Sequence, residues 1–256
     1  MRRPVIAGNW KMNILPSELE AYFSAYASTV SEQCADFVDK VVAPPTSHLF
    51  IAQSIASKLG VIISSQNVHW EDSGAFTGEV SSKMLLDLGI QYAIIGHSER
   101  RQFFGETNRT VGGRVANAMK ANLIPIICIG ETEEERESGL TEKILVGQLE
   151  SFLNECEGQG DFIIAYEPVW AIGTGKSATA ETAQETHELI RSKLSETLGR
   201  NVADRTRILY GGSVKPSNLK EYLEQNDIDG GLVGGASLKG DTFAQMVNIA
   251  GEGLLN

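Results

Sequence analysis

Cysteine is scarce in this chain of 256 residues: Cys34, Cys128 and Cys156 are widely separated and odd in number. A disulfide framework needs more of them, and no CxxC or Cys/His spacing suggests a zinc site. A reducing, intracellular compartment fits best. Positive charge is also short, since 22 Lys+Arg against 33 Asp+Glu leave a net charge of −11. That argues against a basic nucleic-acid footprint and against binding to an anionic membrane. A small anionic substrate stays open, because a few local dipoles can outweigh a distant net charge. Long apolar runs are missing: no stretch approaches the roughly 18 residues of a membrane span. Only Val5-Ile6-Ala7 lies between Met1-Arg2-Arg3-Pro4 and Gly8-Asn9, too little for the apolar part of a signal peptide. The expectation is a soluble cytoplasmic protein with no nucleic-acid or membrane partner. No Pro/Ser-rich linker or low-complexity tract divides the chain, so a single domain covering 1–256 is expected.

What the chain does have is a repeat of short β-branched runs. They are Val5-Ile6-Ala7, Lys40 to Ala43, Val61 to Ser64, Tyr92 to Ile95, Ile124 to Ile129, Phe162 to Ala165, Arg207 to Tyr210 and Gly231 to Val233. None alternates polar with apolar, which suits strands buried on both faces of a parallel sheet. Charged segments of helical character separate them. Ser17-Glu18-Leu19-Glu20 reads as a capping box opening the first helix. The acidic start at Glu131 suits a helix running through 131–157 with a solvated charged face. Thr179 to Leu198 reads as another helix, with Ala183, Ile190 and Leu194 on one side. Strand and helix alternating about eight times, at about 32 residues per unit, predict an α/β fold: a (β/α)8 barrel of eight parallel strands surrounded by helices. An open doubly wound sheet is weaker, since Gly8-Asn9-Trp10-Lys11 stands where GxGxxG belongs.

Unusual polar and glycine residues follow most of the runs, and a barrel gathers all such positions on its C-terminal rim. Glu167 ends the sixth run, where partial desolvation strengthens a carboxylate as a base. His97 alone of four histidines stands at a strand end, and imidazole suits proton shuttling between adjacent oxygens. His48 and His187 fall in predicted helices and His69 in a loop, where ordinary surface or core roles suffice. Lys11 and Asn9 can stabilise a developing oxyanion. A lysine there could equally be a Schiff-base nucleophile, which keeps an aldolase on a phosphate-binding barrel open as the alternative. Gly211-Gly212-Ser213 and Gly234-Gly235 follow the last two runs, where such barrels commonly bind phosphate through backbone amides. The segment from Pro168 to Ala178 is longer than an ordinary connection and reads as a lid, contributing an amide from Gly173.

Ala165 to Gly175, Asn9-Trp10-Lys11-Met12-Asn13, Gly96 to Arg101, Tyr210 to Ser213 and Gly234 to Ser237 together resemble the triosephosphate isomerase family, in the expected order from Pro4 to about Lys239. The resemblance implies a glycolytic and gluconeogenic isomerase that interconverts dihydroxyacetone phosphate and D-glyceraldehyde 3-phosphate without cofactor or metal. It makes Glu167 the base and His97 the electrophile, kept neutral by a helix N-terminus. Lys11 and Asn9 then stabilise negative charge, and amides of Gly173, Ser213, Gly234 and Gly235 hold the phosphate. Glu99 and Cys128 support the site from behind. The resemblance also implies a homodimer, with Thr77 near the neighbouring subunit's active site. The segment from Asn67 to Val80, carrying Trp70 and Phe76, reads as the docked loop.

Overall fold

The computed structural model describes residues 2–156, 161–171 and 177–254. Eight strands form a closed, all-parallel barrel in sequence order. They are β1 (Val5–Asn9), β2 (Asp39–Ala43), β3 (Ile62–Ser65), β4 (Tyr92–Ile95), β5 (Ile124–Ile129), β6 (Ile163–Tyr166), β7 (Arg207–Tyr210) and β8 (Gly230–Val233). Helices follow the strands and surround the barrel, so the fold is the expected (β/α)8 barrel. β8 closes against β1 with Val5 opposite Gly230. Gly230 has φ +145°, and a Cβ there would lie 1.9 Å from the Val5 carbonyl oxygen, so closure needs glycine at this point.

The non-alternating runs are explained by two cores. Ile163 and Ala165 on β6, with Ala7, Val41, Ile126, Cys128 and Leu209, pack in the barrel interior. Ile164 and Tyr166, with Ile6, Val42, Ile127 and Val233, pack outward against the helices. Each strand is therefore apolar on both faces, as a parallel barrel requires. Among the described residues no helix is long and apolar enough to cross a membrane.

Two local expectations are corrected. Ser17 does not cap the first helix. Pro16, with its φ fixed for a helical start, opens a 3-10 turn over Pro16–Glu18. The Glu18 carboxylate accepts the Leu15 N–H at 2.6 Å in Ser17's stead, and the α-helix runs Leu19–Thr29. The interval 131–157 is not one helix either. Thr132 caps a short helix, Glu133–Glu137, which stops at Gly139 with φ +68°. A second helix follows, Thr141–Cys156. Glu131 precedes the cap and is fully buried, so it belongs to no solvated face. The helix Ala180–Leu198 is as expected, capped by Thr179 with Ala183, Ile190 and Leu194 buried. His187 is a core histidine, its pKa pushed down to about 3 by burial.

Candidate active site

Asn9 ends β1 and turns the chain: its side-chain oxygen accepts the Lys11 N–H at 3.0 Å. That turn places Lys11 in the left-handed region, φ +53°, and its ammonium bonds Glu99 Oε1 at 2.6 Å. His97 follows β4 as the cap of the helix Ser98–Phe104. Its Nδ1 accepts the Glu99 N–H at 3.2 Å, so the hydrogen of a neutral ring resides on Nε2. Nε2 stands 2.9 Å from Glu167 Oε1.

Glu167 directly follows β6, held by its own N–H to the Ile129 carbonyl at 2.7 Å. Its Oε2 accepts the Ser98 N–H at 3.0 Å. The neighbouring strands come so close that only glycine fits on either side. A Cβ on Gly130 would lie 1.7 Å from the Glu167 carbonyl oxygen, and one on Gly211 would lie 2.8 Å from its Cγ. Burial works against the Glu167 charge, but His97, the Ser98 amide and Lys11 outweigh it and hold the carboxyl below its ordinary value. Burial likewise opposes a charged His97, and the Glu167 carboxylate overrides it, so the ring's pKa lies above its ordinary value. This differs from the expected imidazole kept neutral by the helix N-terminus. The Glu99 amide does oppose the cation, yet the carboxylate in direct contact is the stronger influence.

Asn9, Lys11, His97, Glu167, Ser213, Gly234 and Gly235 all line one cleft of about 760 Å³ at the C-terminal ends of the strands. Residues up to 226 positions apart in sequence thus meet in one place. Gly173 lies outside the described residues. Glu99 bonds Lys11 and has Oε2 3.7 Å from His97 Nδ1. Cys128 is buried in the barrel interior, where burial and the Glu167 charge push its thiol well up. Thr77 is exposed and does not line the cleft.

Three contributors escaped the sequence reading. Gln66 follows β3 and donates to the carbonyls of Lys11, at 2.8 Å, and Ala43, at 2.9 Å, fixing the Lys11 turn. The Ser98 amide holds Glu167. Buried Glu131 follows β5 and accepts from Tyr166 Oη at 3.0 Å, Trp170 Nε1 at 3.1 Å and Arg136 at 3.1 Å. It thereby ties the segment after Glu167 to the barrel. Both Gln66 and Glu131 obey the strand-end rule, but Glu131 was hidden inside an acidic run.

A closed (β/α)8 barrel with an imidazole, a carboxylate and a lysine in one cleft at the C-terminal strand ends defines the class: an enzyme of the α/β-barrel type. The comparisons then narrow it. The family model for triosephosphate isomerase matches residues 4–250. The chain is 51% identical to the triosephosphate isomerase of Citrifermentans bemidjiense, over 96% of this chain and 98% of that one. It is 48% identical to that of Chlorobium phaeovibrioides, over 98% of this chain and all of its relative, and 48% identical to one from Clostridium botulinum, over 97% and 100%. The chain belongs to the triosephosphate isomerase family.

Proposed function

We infer that this chain interconverts dihydroxyacetone phosphate and D-glyceraldehyde 3-phosphate through an enediolate. The observation that carries the residue assignment is the cleft in which Glu167, His97 and Lys11 converge. Glu167 removes a proton from the carbon beside the carbonyl, and the freed electron pair forms the C=C bond of the enediolate. Charge moves to the carbonyl oxygen, which the Nε2–H of His97 and the Lys11 ammonium stabilise. The hydroxyl proton on the neighbouring carbon passes through His97 to the former carbonyl oxygen. Returning the carbon-bound proton from Glu167 to the former carbonyl carbon completes the exchange, with no net oxidation and no demand for a cofactor or metal.

The electrostatics suit this sequence. Held by His97 and the Ser98 amide, Glu167 is ionised at neutral pH. Turning to substrate breaks both contacts, and a desolvated carboxylate without them is a stronger base. The same movement takes from His97 the partner that favours its cation. Burial and the Glu99 amide then favour the neutral ring, which gives its Nε2 hydrogen to one enediolate oxygen and takes the hydroxyl hydrogen of the other. The phosphate sits on amides of Ser213, Gly234 and Gly235, which line the cleft. Glycine leaves those amides accessible, so neutral groups bind a dianion despite the chain's net negative charge.

The reading extends to a cytoplasmic, single-domain homodimer. Exposed Met12 and Phe76 and the loop carrying Thr77 supply an apolar surface that a second copy covers. A coupled assay of turnover in both directions tests the isomerase. The aldolase alternative is disfavoured by Lys11's ion pair with Glu99, because a Schiff-base lysine attacks as a free amine. Borohydride trapping with substrate leaves no adduct at Lys11 under the isomerase reading.

A further inference from the structure

The turn that presents Lys11 contains a second left-handed residue without an obvious reason to be so. Ile14 has φ +63°, a conformation that β-branched residues adopt only when their surroundings enforce it. The group in contact with its carbonyl is a histidine from the turn that follows β2. His48 is buried at the close of the Thr46–His48 turn after β2, and its Nε2 stands 2.7 Å from the Ile14 carbonyl oxygen. A carbonyl can only accept, so Nε2 carries the hydrogen. Nδ1 then receives the hydroxyl of Ser47, 2.7 Å away. The turn from Trp10 to Leu15 is therefore held at both of its strained residues, Lys11 by Gln66 and Ile14 by His48. The Asn13 side chain bonds the Trp10 carbonyl between them, at 2.7 Å.

We propose that His48 is a positioning residue: its bond to the Ile14 carbonyl keeps the 10–15 turn in the left-handed form that points Lys11 into the cleft. Without that bond Ile14 relaxes to extended backbone, the following peptide swings away, and the Lys11 ammonium leaves its place. Substrate charge is then met less well, while Glu167 and His97 stay where they are. The proposal rests on the isomerase reading for its kinetic consequence, but the geometric claim can be read from anion affinity alone.

The test combines His48→Phe, His48→Gln and Ile14→Gly with the double variant His48→Phe/Ile14→Gly. Each is assayed for KM and kcat with triose phosphate, and for affinity of inorganic phosphate by calorimetry. His48→Phe is expected to raise KM about tenfold, weaken phosphate binding in parallel, and lower kcat less than KM rises, as misplaced binding groups do. His48→Gln, whose amide can reach the same carbonyl, restores most of the loss. Glycine at position 14 carries no left-handed penalty, so in that background His48→Phe changes KM by no more than about twofold. The pH dependence of kcat/KM is expected to be the same in every variant. Equal losses in both backgrounds, an unchanged KM in His48→Phe, or a loss reversed by raising the protein concentration overturns the proposal, the last by assigning His48 to subunit association. If His48→Phe does not fold, His48→Asn, too short to reach Ile14, takes its place in the cycle. Lack of turnover by the unsubstituted chain overturns the isomerase reading instead, and the phosphate affinities then decide the clamp.

Discussion

Glu167 and His97 touch: Oε1 of the carboxylate lies 2.9 Å from Nε2 of the ring, while Oε2 accepts the Ser98 amide. The proposed base is thus held by its proposed electrophilic partner. Reaching a carbon atom between them requires the Glu167 side chain to rotate out of both bonds. Under the proposed mechanism this short contact keeps Glu167 ionised before substrate binds, and its rupture raises the carboxylate's basicity.

Replacing the carboxylate by its amide removes the base and keeps the shape. Glu167→Gln is expected to lower kcat about a thousandfold, with inorganic phosphate inhibiting as in the unsubstituted protein. A coupled assay with phosphate titration measures both. Near-normal turnover would falsify the base assignment.

The contact also predicts how stability varies with pH. His97 lies above its ordinary value of 6.5, so its contribution is complete below pH 6.5 and lost as pH rises through its folded value. Glu167 lies below its ordinary 4.5, so its contribution is complete above pH 4.5 and lost as pH falls through its folded value. The ion pair therefore stabilises most between these limits. The thermal midpoint of His97→Gln should fall furthest behind the unsubstituted protein between about pH 4.5 and 6.5, with the gap narrowing as pH rises through the folded value of His97. A gap that widens with pH contradicts the raised histidine.

Gly234 offers a way to probe the phosphate site. A Cβ there would stand 3.6 Å from Lys11 Cε and 4.0 Å from Nζ, so a side chain grows toward the charged end of the cleft. Gly234→Val is expected to raise KM and the inhibition constant of phosphate together by about tenfold, the loss of one or two charge-assisted hydrogen bonds. Steady-state kinetics with both ligands decides the point, and unchanged constants remove Gly234 from the site.

Subunit association can be probed at Thr77, exposed in the loop that carries Phe76. A bulky cation buried in an interface without a partner is costly. Thr77→Arg should shift the chain toward monomers in light scattering and lower its activity at dilute concentration. A stable dimer with full activity contradicts the docking role.

All eight strands and most rim residues were legible from the sequence, because apolar β-branched runs and the residues after them are local signals. Helix starts were less secure. Ser17 looked like a cap until Pro16 opened the turn ahead of it, and the single helix at 131–157 broke at Gly139. Glu131 is hard to place from sequence for a related reason. Five consecutive polar residues look alike in sequence, yet the first occupies a strand end and is sealed under Tyr166 and Trp170.

By itself the sequence determined the barrel, through the period and composition of its strands, and the family, through motifs that depend on residue type at short range. Tertiary structure alone decided that Glu167 rests on His97, that Gln66 after β3 and His48 in the turn after β2 reach across to the Lys11 turn, and that Gly130 and Gly211 leave room for Glu167. Those relations depend on ångström distances between strand ends that barrel closure brings together. No pattern along the chain encodes such distances directly, because they are set by the tilt and packing of all eight strands at once.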